Sequence, residues 1–222
     1  MFTVALIGAD GAGKTTVARR LESELELPVT YIYMGVSAEA SNHQLPSTRI
    51  AHAVKRRTEA SRAARPRGVR RACRAARSAL RLANRLAEEW YRQLLAWSCL
   101  RKGSIVVFDR HFFSDYYAYD VAGAGRAQMS RRIHGLLLDK VYPKPDLVIY
   151  LDAPPEVLLA RKGEGTAELL ERRRDDYLAI GRLVPHFAVV DASKPLDAVT
   201  DDVVAEITSF ARSRGTGTPV RG

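Results

Sequence analysis

The amino-acid sequence predicts an α/β fold: a five-stranded parallel sheet with helices on both faces. Three observations predict it. Five short apolar runs recur along the chain, stretches with helical periodicity lie between them, and a glycine-rich loop joins the first run to the first helix. The 222 residues, 46% hydrophobic and 27% charged, are enough for one well-cored globular domain. That domain is expected over about 1–211, with a polar, glycine-containing tail over 212–222.

The elements follow in order. Phe2–Ile7 is short and apolar and ends at Gly8, which suits a buried strand. A helix is expected from Gly13 to about Leu25, stopped near Pro28. Val29–Met34 is a second strand, and Ser37–Ser47, with Pro46, is a loop. A long helix fits about Val69–Leu100. Ser104–Phe108 is a third strand, followed by an aromatic stretch, Phe112–Tyr119, and a turn at Gly123–Gly125. A helix is expected over about Gln128–Lys140, closed by Pro143 and Pro145. Asp146–Leu151 is the fourth strand. Pro154 and Pro155 open a helix that Gly163–Gly165 interrupts and Thr166–Ile180 continues. Phe187–Val190 is the fifth strand and Leu196–Phe210 the last helix.

The N-terminus is apolar at once, without a basic stretch or a small-residue cleavage site. Phe2–Ile7 therefore reads as a core strand, not a signal peptide, and the expected compartment is the cytoplasm. No apolar run approaches the roughly 18–20 residues that span a bilayer. The two cysteines, Cys73 and Cys99, fall on the long helix. About 39 Å separates them at roughly 1.5 Å per residue, too far to pair. No Cys/His cluster has zinc-ligand spacing.

The net charge of +10 is localised. Residues 55–101 carry fourteen Lys or Arg against three Glu, so the rest of the chain is nearly neutral. On a helical projection Val69, Ala72, Cys73, Ala76, Ala79, Leu80, Ala83, Leu86, Ala87, Trp90, Leu94 and Trp97 share one face, read as core. Arg67, Arg70, Arg74, Arg77, Arg81, Arg85 and Arg92 share the other, with Glu88 four residues before Arg92 and able to pair with it. The basic face reads as solvated. Clustered arginines also suit nucleic-acid phosphates, but the aromatics that would stack on bases lie on the apolar face. A further option is that some of these arginines meet an anionic acceptor in the cleft.

Gly8-Ala9-Asp10-Gly11-Ala12-Gly13-Lys14-Thr15 matches G-x-x-x-x-G-K-S/T between a strand and a helix, the signature of the P-loop NTPase fold. Its backbone N–H groups must converge on polyphosphate oxygens, so bulk is excluded at Gly11 and Gly13. The helix N-terminus adds partial positive charge, Lys14 reaches the β- and γ-phosphates, and the Thr15 hydroxyl takes a Mg²⁺ position. Asp109 ends an apolar strand that can lie beside the first, which turns its carboxylate toward the metal and phosphates. Arg110 offers a bidentate fork for an acceptor phosphate or the transferring group.

With these residues the sequence resembles the thymidylate kinase family. The matching motifs are Gly8-x-Asp10-Gly11-x-Gly13-Lys14-Thr15-Thr16, Phe108-Asp109-Arg110, and Pro145-Asp146 through Leu151-Asp152-x-Pro154 to Val157. Arg161-Lys162-Gly163 and Val190-Asp191-Ala192-Ser193 follow in the family's order. The resemblance implies a nucleoside-monophosphate-kinase-like architecture and an ATP- and Mg²⁺-dependent phosphotransferase. ATP would be held by Asp10, Gly11, Ala12, Gly13, Lys14, Thr15 and Thr16, with Thr15 and Asp109 at the metal. Lys14, Asp109, Arg110 and Arg161 would be catalytic, Arg161 and an arginine among Arg172–Arg174 belonging to a lid over about 161–175. Ser193 and the loop from Asp191 to Pro195 would border adenine. Asp10, Arg110, His111, Ser114, Asp115 and Tyr119 would contact the acceptor. The family often uses the long helix at a dimer interface, which implies a homodimer.

The acceptor motifs depart from the family. Its Arg-Glu-Pro-Gly-Gly stretch after the second strand is replaced by Tyr33-Met34-Gly35-Val36-Ser37, and no arginine follows until Arg49. The stretch after Asp109-Arg110 reads His111-Phe-Phe-Ser114-Asp115, where a carboxylate prefers hydroxyl or amine donors. Two acceptor classes stay open: a nucleoside monophosphate, dTMP or similar, and a hydroxyl of a nucleoside, sugar or specialised metabolite. In the second case Asp109 or Asp115 would orient or deprotonate that hydroxyl. A basic nucleic-acid-binding ATPase module is the alternative of another class.

Overall fold

The computed structural model describes residues 1–35, 67–111, 140–163 and 165–215. The expected loop at Ser37–Ser47, the aromatic stretch, the turn at Gly123–Gly125 and nearly all of the expected 128–140 helix lie outside the described residues. Strands β1 (Thr3–Ile7), β2 (Val29–Tyr33), β3 (Ile105–Asp109), β4 (Leu147–Asp152) and β5 (Phe187–Asp191) form one sheet in the order β2-β3-β1-β4-β5. Every neighbouring pair is parallel. The described helices are α1 (Lys14–Glu24), α2 (Arg67–Arg101), α3 (Pro155–Lys162), α4 (Ala167–Ile180) and α5 (Leu196–Ser213). The predicted α/β class and strand number hold.

The three central strands are apolar between their ends because both of their faces are covered. Val4 and Leu6 of β1 join Val107, Ile149, Val17, Leu21, Val203 and Ile207 in one core, with α1 and α5 above it. Ala5 and Ile7 point the other way, to Val106, Phe108, Val148, Tyr150, Ala96, Tyr177 and Ile180, under α2 and α4. The edge strands β2 and β5 are only partly buried.

The sheet is tied at its amino ends by Asp146. Its Oδ2 accepts from the Thr3 backbone N–H and from the Thr3 hydroxyl, both at 2.8 Å. Arg214 donates to Oδ1 at 2.6 Å. The last helix thus runs beyond its expected end at Phe210, and the chain stays docked through Arg214.

The long helix corrects one expectation. Most of its apolar stripe with described side chains lies outside the core: Leu80 is 71% and Leu94 57% exposed, and Ala79, Ala83 and Ala87 face solvent as well. Trp90 borders the core through edge contacts to Tyr142 and Trp97. The buried face is instead Glu88, Glu89, Arg92, Gln93 and Ala96, so Arg92 leaves the solvated arginine face to which it was assigned. The reason is position. α2 lies against β2 and β3, and this stretch of it stands level with their carboxyl ends, where Arg92 donates to the Gly35 carbonyl at 3.2 Å. Burying charged side chains is costly unless they are paired. The expected Glu88–Arg92 pair forms at 3.3 Å.

Candidate active site

The phosphate loop runs from β1 into α1. Gly8 lies so close to β4 that a Cβ would stand 2.7 Å from the Leu151 carbonyl oxygen, at a φ of +148°. Gly13, at φ 87°, caps α1 without any side-chain acceptor, and the first turn holds no acidic residue. The helix therefore keeps its amino-terminal N–H groups for an anion. The Lys14 ammonium donates to the carbonyls of Gly8 at 2.9 Å and Ala9 at 2.7 Å, folded along the loop that it serves. Thr16 is exposed on the first turn of α1.

Asp109 ends β3 beside this loop, since β3 pairs with β1 and Leu6 is its register partner. Its carboxylate is fully buried. Oδ2 accepts from the Thr15 hydroxyl and, at 3.0 Å, from the Tyr31 hydroxyl. Burial and the Asp109 charge raise the Tyr31 pKa, so its hydroxyl keeps its proton. Oδ1 is buried without a hydrogen-bond partner among the described residues. A buried carboxylate oxygen in need of a partner, next to a threonine hydroxyl at the foot of a phosphate loop, fits a hard divalent cation such as Mg²⁺.

Arg110 has φ 67°, the sole positive value of a non-glycine residue among those described. Such a conformation costs on the order of 1–3 kcal/mol and persists where surrounding contacts hold it. Its N–H donates to the Leu6 carbonyl, and its guanidinium pairs with Asp10 of the loop. Burial acts to raise the Asp10 pKa, but the charges of Arg110, Lys14 and Lys162 outweigh it and hold the carboxyl below the usual carboxylate range. The arginine stem passes Gly35, where a Cβ would approach Arg110 Cδ to 2.8 Å and the Tyr33 hydroxyl to 2.3 Å. His111 is buried between Phe108 and Tyr142, with ring centroids at 5.2 and 5.8 Å. Burial pushes its pKa down to about 3, so the imidazole is neutral.

On the far side of the loop, Arg161 donates to the Ala192 carbonyl at 2.8 Å. Asp191 Oδ1 accepts from the Ser193 N–H at 2.9 Å and its hydroxyl at 2.5 Å, which folds the 191–195 turn. Arg174 of α4 grips Asp152 with both prongs at 2.8 Å. Of the expected site residues, the loop, Asp109 and Arg110 come together, His111 packs behind them, and Arg161 reaches the 191–195 turn that carries Ser193. Ser114, Asp115 and Tyr119 lie outside the described residues.

The sequence matches the family model described as Thymidylate kinase over residues 7–203. The chain belongs to the thymidylate kinase family. It is 31% identical to a thymidylate kinase of Xanthomonas oryzae pv. oryzae, with 97% of this chain and 88% of that protein covered. A probable thymidylate kinase of Archaeoglobus fulgidus is 38% identical over 50% of this chain and 57% of its own length. Among solved structures, a thymidylate kinase of Candida albicans superposes with a TM-score of 0.64 at 21% identity, covering 95% of this chain and 92% of that one. As a thymidylate kinase family member the chain is a nucleotide kinase, a phosphotransferase of the P-loop type.

Tyr31, which reaches the Asp109 carboxylate, lies outside every motif. Its hydroxyl did not single it out, because Thr30 and Tyr33 of the same strand carry one too.

Proposed function

We propose that the chain transfers the γ-phosphoryl group of ATP, with Mg²⁺, to a nucleoside monophosphate, dTMP or a close relative. The observation that carries this reading is the joining of Asp109-Arg110 to the phosphate loop, Asp109 with Thr15 and Arg110 with Asp10. The loop N–H groups and the α1 terminus bind the donor phosphates, and Lys14 exchanges its loop carbonyls for phosphate oxygens. Thr15 and Asp109 hold the cation, whose charge offsets that of the phosphates. Arg110, already extended toward Asp10, turns its fork to the acceptor phosphate and the transferring group. Arg161 and the turn at Ser193 border the adenine. Ser114, Asp115 and Tyr119 would read the acceptor, with His111 packed behind Arg110. The working unit is a single domain over about 1–211, in the cytoplasm. The exposed apolar stripe of α2 supports a homodimer formed through that helix.

A second reading, phosphorylation of a hydroxyl on a nucleoside or sugar, is favoured by one feature. Tyr33-Met34-Gly35 ends β2 where the family carries an arginine for the acceptor phosphate. Release of ADP, coupled to a dehydrogenase readout, over a panel of nucleotides, nucleosides and sugars separates the two. Stimulation by dTMP or another monophosphate is expected. Stimulation by nucleosides or sugars alone replaces the first reading with the second.

A further inference from the structure

Asp109 has two donors on one oxygen and none on the other among the described residues, and the second donor comes from outside every motif. The Thr15 hydroxyl belongs to the phosphate loop. The Tyr31 hydroxyl belongs to β2, the strand on the opposite side of β3 from β1. The terminal torsion of an aspartate is broad and nearly two-fold, so one rotatable hydroxyl does not hold a carboxylate in a single orientation. A second donor on the same oxygen, carried by a stiff ring on a paired strand, does. The Tyr31 ring is itself placed by β2, whose ladder to β3 runs from Val29 to Tyr33, and Arg19 of α1 lies over its face at 5.9 Å. Two donors from two elements engage Oδ2 and direct Oδ1 away from both.

We propose that Tyr31 is a positioning residue of the phosphoryl-transfer site, pinning the Asp109 carboxylate through Oδ2 so that Oδ1 is presented to the divalent cation. The proposal rests on the reading that Thr15 and Asp109 hold that cation. Tyr31 acts through Asp109. Without it the carboxylate must be ordered when the metal arrives, and that cost appears in metal affinity, not in the binding of nucleotide alone.

The test is Tyr31→Phe in the full chain, which keeps the ring and removes one hydroxyl. Mn²⁺ binding is followed by electron paramagnetic resonance in the presence of a non-hydrolysable ATP analogue, with Asp109→Asn alongside. Binding of the analogue without metal is measured by calorimetry. Tyr31→Phe is expected to weaken Mn²⁺ binding about tenfold, the scale of one lost hydrogen bond to a charged group. Metal-free affinity for the analogue should stay within about twofold, since the loop amides are untouched. Asp109→Asn should abolish tight Mn²⁺ binding. Wild-type Mn²⁺ affinity in Tyr31→Phe, with Asp109→Asn defective, overturns the role of Tyr31 and leaves the cation site standing. Equal losses of metal and metal-free affinity in Tyr31→Phe also overturn it, since the hydroxyl would then be merely structural. Undiminished Mn²⁺ binding in Asp109→Asn overturns the cation site itself.

Discussion

Lys14 is 5% exposed and rests on the carbonyls of Gly8 and Ala9. A lysine held along its own loop is pre-aimed: the stem is ordered before any phosphate arrives, and only the last contacts exchange. Lys14→Ala is expected to lower turnover by at least about 10²–10³, the scale of one lost electrostatic stabiliser. Circular dichroism should be unchanged, because α1 is fastened to the core by Val17, Ala18 and Leu21. Retained ADP release in this variant would remove Lys14 from the mechanism. Arg110 shows the same economy with a different residue. Its left-handed backbone and its pairing with Asp10 hold the guanidinium beside the loop.

Among the elements, β1 and β4 meet at two ends with different duties. At the carboxyl end Gly8 lets the phosphate loop pass against the Leu151 carbonyl. At the amino end Asp146 clamps Thr3 and takes Arg214 from beyond α5. Burial alone would raise the Asp146 pKa, but hydrogen bonds from Thr3 and the Arg214 guanidinium outweigh it and the net shift is downward. A carboxyl depressed on folding contributes stability above its unfolded pKa and loses it as pH falls through the folded value. Asp146→Asn should therefore be less stable than wild type at neutral pH. The gap should narrow as pH drops below the ordinary value of 3.8, read as urea midpoints at a series of pH values. A gap that does not change with pH would mean that the Asp146 charge contributes nothing. α2 carries the opposite lesson about elements. Its periodicity locates a helix correctly, yet Ala79, Leu80, Ala83, Ala87 and Leu94 of the apolar stripe are exposed while Glu88, Glu89, Arg92 and Gln93 line the interior.

For the whole molecule, that outward stripe has a consequence. Leu80, Leu94 and Tyr91 are exposed on one helix of the described structure, an apolar surface that a second copy would cover. Sedimentation equilibrium at micromolar protein is expected to give twice the chain mass, and Leu80→Lys with Leu94→Lys to give the single-chain mass. A wild-type protein that sediments as one chain sinks the dimer. No helix among the described residues is long and apolar enough to cross a membrane.

Much of the architecture was legible in the sequence, because each signal for it is local. Buried parallel strands must be continuously apolar, so β1, β3 and β4 read directly from composition. The phosphate loop read directly because Gly8, Gly11 and Gly13 answer to backbone geometry within eight residues. Asp109-Arg110 was readable as a strand end followed by a fork. The rest needed the tertiary structure, since it depends on which surfaces meet. Strand order brings Tyr31 to Asp109 across 78 positions of chain and Arg110 to Asp10 across 100. Packing, not periodicity, chose the polar side of α2 for the interior, and the placing of α3 beside the 191–195 turn carried Arg161 to Ala192. Local backbone chemistry is written residue by residue; the pairing of distant side chains is decided only when the sheet assembles.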